Sequence, residues 1–209
     1  MNTRSDNAAP VRGRPRTGDK RRRILDAALV EFAARGLHGV TVPDVAGSAR
    51  VGAGTVYRYF VDKNDLVNHV FRDAEGRLRS AVFDGWKVDP SAEPVELFRE
   101  LWRRLAGFAR AEPVAFKFLE GHDHLPYLDA ECRQVELSVL LPMWLAGHRI
   151  ASAPGARDLP PEVGVAMIWG ALVGLFKAEW LGYLRLDDAA IAGAGEACWA
   201  ALRSDPVQP

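Results

Sequence analysis

The sequence predicts an all-α fold, and three observations carry that prediction. Apolar residues recur at the spacing of one helical face along most of the chain. Prolines and glycines divide these periodic segments, and no segment shows a strand pattern that competes with them. The chain has 209 residues, 48% of them hydrophobic, which is enough for one large domain or two small ones with a proper core.

Charge is divided unevenly along the chain, although the formal net charge is zero. Residues 1–80 hold 15 Lys and Arg against 9 Asp and Glu, a net +6, and residues 81–209 hold 12 against 18, a net −6. Residues 1–18 are basic and rich in Pro, Gly and Ala, so we predict a disordered basic arm that cannot bury enough apolar area to fold alone. Two interpretations stay open: a solubilising tail, or an arm that binds phosphates by releasing counterions.

The first folded element is a helix predicted over residues 19–36. Asp19 is a suitable N-cap and Gly36 a C-terminal stop. A second, short helix starts where Thr41 can act as N-cap and ends by Ala49. A third short segment follows after a turn of about four residues. The two short segments and the turn between them form a helix-turn-helix pattern. The apolar face of the first helix is formed by Ile24, Leu25, Ala28, Leu29 and Phe32.

The third segment, VGAGTVYRYFVDKNDL at residues 51–66, combines small, aromatic and charged residues. Small residues at its start let the backbone approach another surface closely, and free N–H groups there favour an anion. Its apolar side chains should anchor it in a core; they are Val51, Val56 and Phe60. Tyr57, Arg58 and Tyr59 should project outward, while the alternative that both tyrosines are half-buried core residues stays open.

The stretch TVPDVAGSARVGAGTVYRYFVDKNDL resembles the helix-turn-helix signature of the TetR family of bacterial transcriptional regulators, and ILDAALVEFAARG resembles the first helix of that family. The resemblance covers about residues 20–70. Two positions differ from the family pattern: Arg50 stands where glycine is usual, and Gly52 where a capping serine is common. The matching positions are Thr41, Val45, Ala46, Val51, Gly54, Thr55, Tyr57, Tyr59, Phe60, Lys63 and Leu66.

The resemblance implies an N-terminal helix-turn-helix three-helix bundle at residues 19–66, joined to a C-terminal helical ligand-binding and dimerisation domain at residues 67–203. It implies a homodimeric regulator that binds double-stranded DNA; a repressor is the favoured alternative, and an activator stays open. A two-fold dimer should bind a palindromic operator. The aromatic content of the later helices predicts that a small apolar or aromatic effector releases the DNA. Residues 53–59 would be the recognition helix in the major groove.

The resemblance also divides the DNA contacts. Phosphate contacts are implied for Thr41, Thr55, Tyr57, Tyr59 and Lys63. Positions nearer the bases are Ala53, Val56 and Arg58. Arg50, in the turn, completes the predicted DNA-binding set.

Beyond this region the helical pattern continues. A connecting helix is predicted over 63–84. Further helices are predicted over 92–111, 113–121, 127–150, 161–184 and 187–203, and Pro142 should kink or split the one that contains it.

An effector site is predicted from the aromatic content of these helices, since a ligand cavity is apolar with a few polar groups. For most of the aromatic residues, simple core packing is the competing explanation. The predicted ligand-binding residues are Trp102, Phe116, His122, Trp144, Trp169 and Phe176.

Metal and catalytic chemistry are weaker alternatives. His122, Asp123, His124 and Cys132 lack the closure of a four-ligand zinc site, so no metal is predicted. Glu120 and this histidine-rich segment could carry out metal-assisted hydrolysis, but no sequence motif supports that activity. The sequence also lacks a Gly-x-Ser-x-Gly elbow and a phosphate loop that follows a strand. We therefore predict no enzyme and no cofactor. A protein adaptor without DNA binding is a third class.

The last two helices are predicted to form the homodimer interface. Small residues recur every four positions on 161–184, which permits close helix approach in a four-helix bundle across a two-fold axis. The predicted interface residues are Ala166, Gly170, Gly174, Ala178, Ile191, Ala194 and Cys198.

The sequence predicts a cytoplasmic protein without a membrane span. The apolar run VGVAMIWGALVGLF at residues 163–176 stops at Lys177 and Glu179. The basic N-terminus lacks the apolar region of a secretory signal. The two cysteines, Cys132 and Cys198, have no metal-ligand spacing and fit reduced thiols.

Overall fold

The computed structural model describes residues 17–204 except 88, 90, 122 and 123, and this part of the chain contains nine α-helices and no strand. The predicted all-α class is confirmed. Most of the basic arm, including Arg12 and Arg16, lies outside the described residues. The helices are α1 (Thr17–Arg35), α2 (Val42–Ser48), α3 (Ala53–Val56), α4 (Lys63–Phe83), α5 (Pro94–Ala111), α6 (Pro113–Gly121), α7 (Ala130–Ala151), α8 (Pro161–Trp180) and α9 (Asp188–Ala201).

Helix ends follow local chemistry. The predicted N-cap Thr41 forms a capping box: its backbone N–H donates to Asp44 at 2.7 Å, and its hydroxyl oxygen accepts from the Asp44 N–H at 3.4 Å. The predicted stop Gly36 follows α1 with φ 75°, a conformation that glycine adopts without strain. The prediction for Asp19 is wrong, because α1 begins at Thr17 and Asp19 lies in its first turn.

The later helices begin and end close to their predicted limits. Prolines open α5, α6 and α8, and Asp129 and Asp187 cap α7 and α9 by accepting backbone N–H groups at 2.7 Å. Helix α8 ends at Trp180, earlier than predicted, where Gly182 takes φ 76° and turns the chain. Pro142 does not split α7, which continues from Ala130 to Ala151.

The helix-turn-helix is held by α1 and α4. The Arg23 guanidinium donates to the carbonyl oxygen of Ala49 in the turn. Arg21 lies 3.1 Å from a ring nitrogen of His69 on α4 and 5.5 Å from the centre of the Phe60 ring. These arginines, part of the basic run in the sequence, therefore stabilise the small bundle itself.

Helix α4 continues from the small bundle into the larger one. Its buried face packs on α1 and α6 on one side and on α5 and α7 on the other. The residues of this face include Leu66, Val67, Val70, Phe71, Ala74, Leu78 and Val82. The predicted domain limit at residues 66 and 67 falls within the first turns of α4, and it stays a prediction.

Close helix contacts in the larger bundle require small residues at two positions. A Cβ added at Gly147 on α7 would lie 2.1 Å from Cγ2 of Val165 on α8. A Cβ at Gly195 on α9 would lie 2.8 Å from the Trp102 indole of α5, whose Nε1 donates to the carbonyl oxygen of Ile191 at 2.9 Å. The close contacts of α7 with α8 and of α5 with α9 therefore depend on glycine, which has no side chain, at these two positions.

The turn before α3 contains a residue under backbone strain. Arg50 has φ 55°, and within the described part of the chain it is the one residue other than glycine with positive φ. The left-handed conformation crowds the Cβ of an L-residue, which costs about 1–2 kcal/mol. The resemblance places glycine at this position, and the geometry explains why.

We expect Arg50→Gly to raise the free energy of unfolding by about 1 kcal/mol, because glycine relieves the positive φ. The measurement is denaturant unfolding of the purified protein. Arg50→Ala is the matched control, since it removes the same side chain and keeps the Cβ. If the glycine variant is no more stable than the alanine variant, the strain assignment is wrong.

Candidate nucleic-acid interface and ligand cavity

The exposed tip of the helix-turn-helix is formed by α3 and the turn that follows it. Tyr57 is 54% exposed and Arg58 is exposed as well, so both side chains can reach a surface outside the protein. Gly52 is the N-cap of α3, makes no side-chain capping bond and leaves open space around its Cα. The start of α3 can therefore approach a groove closely.

Other members of the predicted DNA set have mixed positions. Arg50 is exposed, and Lys63 at the start of α4 is half-buried. The hydroxyl of Thr41 is exposed but already donates to Asp44 at 2.6 Å. Ala53, Thr55 and Tyr59 are half-buried, which leaves part of each available to a phosphate or a base.

Val56 is a correction to the predicted DNA set. The sequence placed it nearer the bases, but its side chain is 1% exposed and belongs to the core of the small bundle. Because α3 is only one turn long, its apolar member must face inward to hold the helix in place. The second sequence interpretation, Val56 as an anchor with Phe60, is the one the burial supports.

A cavity of about 600 Å³ lies between α4, α6, α7 and α8. Of the six predicted ligand residues, Trp144 and Trp169 line it. Phe116 and Phe176 are buried behind Trp169, and the centre of the Phe116 ring lies 6.3 Å from that of Trp169. The lining comprises Phe71, Glu75, Leu78, Leu119, Glu120, His124, Leu128, Glu136, Val139, Leu140, Met143, Trp144, Glu162, Val165, Ala166 and Trp169.

Three predicted ligand residues need correction. Trp102 lines a different cavity of about 430 Å³ between α5 and α9. Phe116 and Phe176 are 0% and 1% exposed and are not among the cavity lining, because the aromatic cluster around them fills the space between α6 and α8. His122 lies outside the described residues.

Carboxylates in the cavity were missed by the sequence reasoning as ligand-binding residues. Glu75 is 8% exposed, and its Oε2 accepts no hydrogen bond from any described residue. Burial, with smaller contributions from Glu136 and Glu120, raises its pKa to about 8. Glu120 accepts a hydrogen bond from Nε1 of Trp169 at 3.1 Å, and burial raises its pKa to about 7 against the effect of that bond.

His124 occupies the inner end of the same cavity. It is 5% exposed, and its ring lies 4.5 Å from the Phe118 ring and 5.6 Å from the Phe71 ring, centre to centre. Within the described residues no three His, Cys, Asp or Glu side chains are placed to hold a metal ion. His124 therefore belongs to the ligand cavity as an aromatic and polar wall.

A shallow groove of about 610 Å³ runs along the outer faces of α8 and α9. Gly170, Gly174, Ala178, Ala194 and Cys198 of the predicted interface line it. A Cβ added at Gly170 or Gly174 would meet nothing within 4 Å, so neither glycine is needed for packing inside the subunit.

Two predicted interface residues need correction. Ala166 lines the ligand cavity and not this groove, since α8 turns that part of its face toward α7. Ile191 is 7% exposed and faces α5, where its carbonyl oxygen accepts from Trp102.

Within the described residues α8 is the one helix long and apolar enough to cross a membrane, and 22% of its apolar window is buried. A single helix of this kind is weak evidence for a span. A helix at an interface between subunits would also have an exposed apolar face when one subunit is viewed alone.

A helix-turn-helix with an exposed basic and aromatic tip, continuous with a helical bundle that encloses a cavity, defines a ligand-responsive DNA-binding regulator. The family description "Bacterial regulatory proteins, tetR family" matches residues 24–70, and "Tetracyclin repressor-like, C-terminal domain" matches residues 82–204. The regulator BetI of Escherichia coli K12 is 37% identical over 166 residues, which cover 78% of this chain and 80% of BetI. The chain therefore belongs to the TetR family of bacterial regulators.

Solved structures have the same fold. A TetR-family regulator from Vibrio parahaemolyticus is 28% identical with a TM-score of 0.67 and covers 90% of this chain and 100% of its own. One from Marinobacter aquaeolei is 20% identical with a TM-score of 0.74, over 89% and 96% of the two chains. Family members are ligand-responsive repressors that bind operator DNA as dimers, and the family is in general not enzymatic.

The pKa of Glu75 predicts how stability depends on pH. A carboxyl whose pKa rises from 4.5 to about 8 on folding binds more protons in the native state, so stability falls as pH rises between these values. We expect Glu75→Gln to raise the free energy of unfolding by about 2–4 kcal/mol at pH 8 and by little at pH 4.5.

Denaturant unfolding at both pH values measures this difference. Glu162→Gln is the matched control, because Glu162 lines the same cavity but is exposed and should gain nothing. An equal effect of Glu75→Gln at the two pH values would contradict the burial of an ionisable Glu75.

Proposed function

We propose that this chain is a homodimeric repressor that binds a palindromic operator through the exposed tip of α3 and releases it when a small molecule occupies the cavity beside α4. One observation carries the proposal: α4 contributes Phe71, Glu75 and Leu78 to the cavity, and its N-terminal half contacts the helix-turn-helix. A ligand that displaces α4 therefore displaces the DNA-reading tip.

A structural neighbour supports this pairing of ligand and DNA. AibR, solved in complex with isovaleryl coenzyme A and operator DNA, is 19% identical with a TM-score of 0.69 and covers 88% of this chain and 98% of its own. At that identity the likeness shows the fold alone. We propose that this chain likewise binds both a small molecule and operator DNA. It would act in the cytoplasm and without catalysis.

The proposed dimer forms through the groove on α8 and α9. Its lining combines small residues with exposed apolar ones such as Met167, which is 38% exposed. Pairing two such faces across a two-fold axis would cover the apolar surface of α8 and would set the distance between the two reading tips. A dimer with two tips must bind a site with two-fold symmetry.

We expect Gly174→Trp to produce monomers and to abolish specific DNA binding, because an indole in the groove blocks close approach of the helices. Sedimentation velocity and a DNA-binding titration measure the two effects. Gly76→Trp on α4 is the matched control for the bulk added, since a Cβ at Gly76 also meets nothing within 4 Å. A Gly174→Trp protein that stays dimeric would place the interface elsewhere.

We expect variants at the DNA-reading tip to separate phosphate contacts from base contacts. Lys63→Ala should weaken binding to all sequences alike and lower the slope of log affinity against log salt by ~0.9 for each phosphate that the lysine no longer neutralises, because counterion release scales with neutralised phosphates. If Arg58 contacts a guanine edge, Arg58→Ala should cost ~1–3 kcal/mol and relax preference at one position of each half-site.

Genomic fragments bound by the protein supply the DNA for this test, and their shared sequence should be an inverted repeat with half-site centres about one helical turn, or a multiple of it, apart. Arg79→Ala is the control: this exposed arginine lies on α4 about 24 Å along the axis from Lys63. An asymmetric footprint, or no binding at low salt, would refute the proposal.

A further inference from the structure

The ligand cavity contains more carboxyl groups than an apolar effector requires. Four glutamates line it, one from each of four helices: Glu75 on α4, Glu120 on α6, Glu136 on α7 and Glu162 on α8. Within the described residues neither Lys nor Arg is part of the lining. The cavity therefore offers carboxyl groups, and no cationic side chain, to whatever enters it.

Glu75 is the residue of the lining that most requires a partner. Its side chain is more than nine-tenths buried, it lines the cavity, and its Oε2 has no hydrogen-bond partner among the described residues. A buried polar atom of this kind costs stability unless something bonds to it. An occupant of the cavity is the group that can do so.

Aromatic rings form the second half of this environment. Phe71, Trp144 and Trp169 line the same cavity, and Trp169 is held by its hydrogen bond to Glu120. The faces of aromatic rings attract cations, and the attraction grows when the cation is shielded from water. Carboxylates and aromatic faces together favour a positively charged ligand.

Other ligand classes fit less well. An anion would find no cationic partner in the lining and would be repelled by each glutamate that is ionised. A bare metal ion needs ligands converging at short distances, and no three such side chains converge among the described residues. An uncharged molecule would give Glu75 no counter-charge, so this carboxyl, with its pKa of about 8, would stay largely protonated at neutral pH.

We propose that the effector is an organic cation whose charged nitrogen lies between Glu75 and Glu120 and whose apolar body packs on Trp144 and Trp169. This inference rests on the proposed function and adds the chemical class of the effector. An aromatic or apolar body, as the sequence predicts, is retained; the positive charge is the addition.

The titration of the cavity supports this class. The other titratable groups that line the cavity are Glu120, Glu136, Glu162 and His124, and burial raises the pKa of both Glu75 and Glu120. A cation binds the deprotonated carboxylate, so its affinity should rise with pH through the neutral range. Its binding should release protons, which calorimetry in two buffers of different ionisation enthalpy detects.

The experiment compares phenyltrimethylammonium with tert-butylbenzene, which has nearly the same shape and no charge. Calorimetry and tryptophan fluorescence of the full chain at pH 7.5 measure both affinities. We expect the cation to bind at least tenfold more tightly than the hydrocarbon. Glu75→Gln should lose at least tenfold of the affinity for the cation and none for the hydrocarbon.

Two further variants keep the result interpretable. Glu120→Gln tests the second carboxylate and serves if Glu75→Gln fails to fold. Glu96→Gln, the same change on the exposed face of α5 outside the cavity, should bind the cation as the unchanged protein does. A cation that binds no more tightly than the hydrocarbon, or equally well to both cavity variants, overturns the inference.

A DNA arm separates this inference from the proposed function. The protein is bound to a palindromic fragment selected from genomic DNA, and each compound is added. Release by the cation alone supports both proposals. Release by the hydrocarbon with no preference for the cation overturns the charge assignment and leaves the ligand-responsive repressor standing. Tight cation binding without any release overturns the cation as effector.

Discussion

Helix α4 is the constraint on which the rest of the structure depends. Its His69 lies 5.3 Å from the Phe60 ring below the reading tip, centre to centre, and its Glu75 lines the ligand cavity. These two positions are separated by about 9 Å along one continuous helix. One continuous helix therefore joins the cavity to the DNA-reading tip, and this is the connection through which the proposed release of DNA would act.

Glu75 and Glu120 are carboxyl groups that folding makes harder to ionise. Glu75 and Glu120 are largely removed from water, and burial shifts the pKa of each upward toward or beyond neutrality. A buried carboxyl with a raised pKa that lines a cavity is a candidate binding group, and Glu75 and Glu120 both meet this description. A ligand that bonds to these oxygens stabilises the conformation that holds it, and this differential affinity is what a regulatory switch requires.

Glycine has two different roles in the larger bundle. Gly147 is required inside the subunit, because Val165 occupies the space where its Cβ would be. A Cβ added at Gly170 or Gly174 would meet nothing within 4 Å, so packing inside the subunit does not require these glycines, and the proposed dimer contact would use the smooth surface that they form. The sequence pattern of small residues is the same in both cases, and packing alone distinguishes the internal crossing from the proposed interface.

The sequence by itself determined the helices and the small DNA-reading bundle, because caps and stops act within a few residues: Thr41 bonds Asp44, and Gly36 takes a positive φ directly after α1. It also marked the turn at Arg50 as unusual. It could not determine the cavity, since Glu75 and Trp169 meet only through the approach of helices far apart in the chain. Tertiary packing decided which side chains are exposed to solvent, which line the cavity and which lie on the proposed interface. Burial depends on residues far away in the sequence, and a local sequence pattern does not include them.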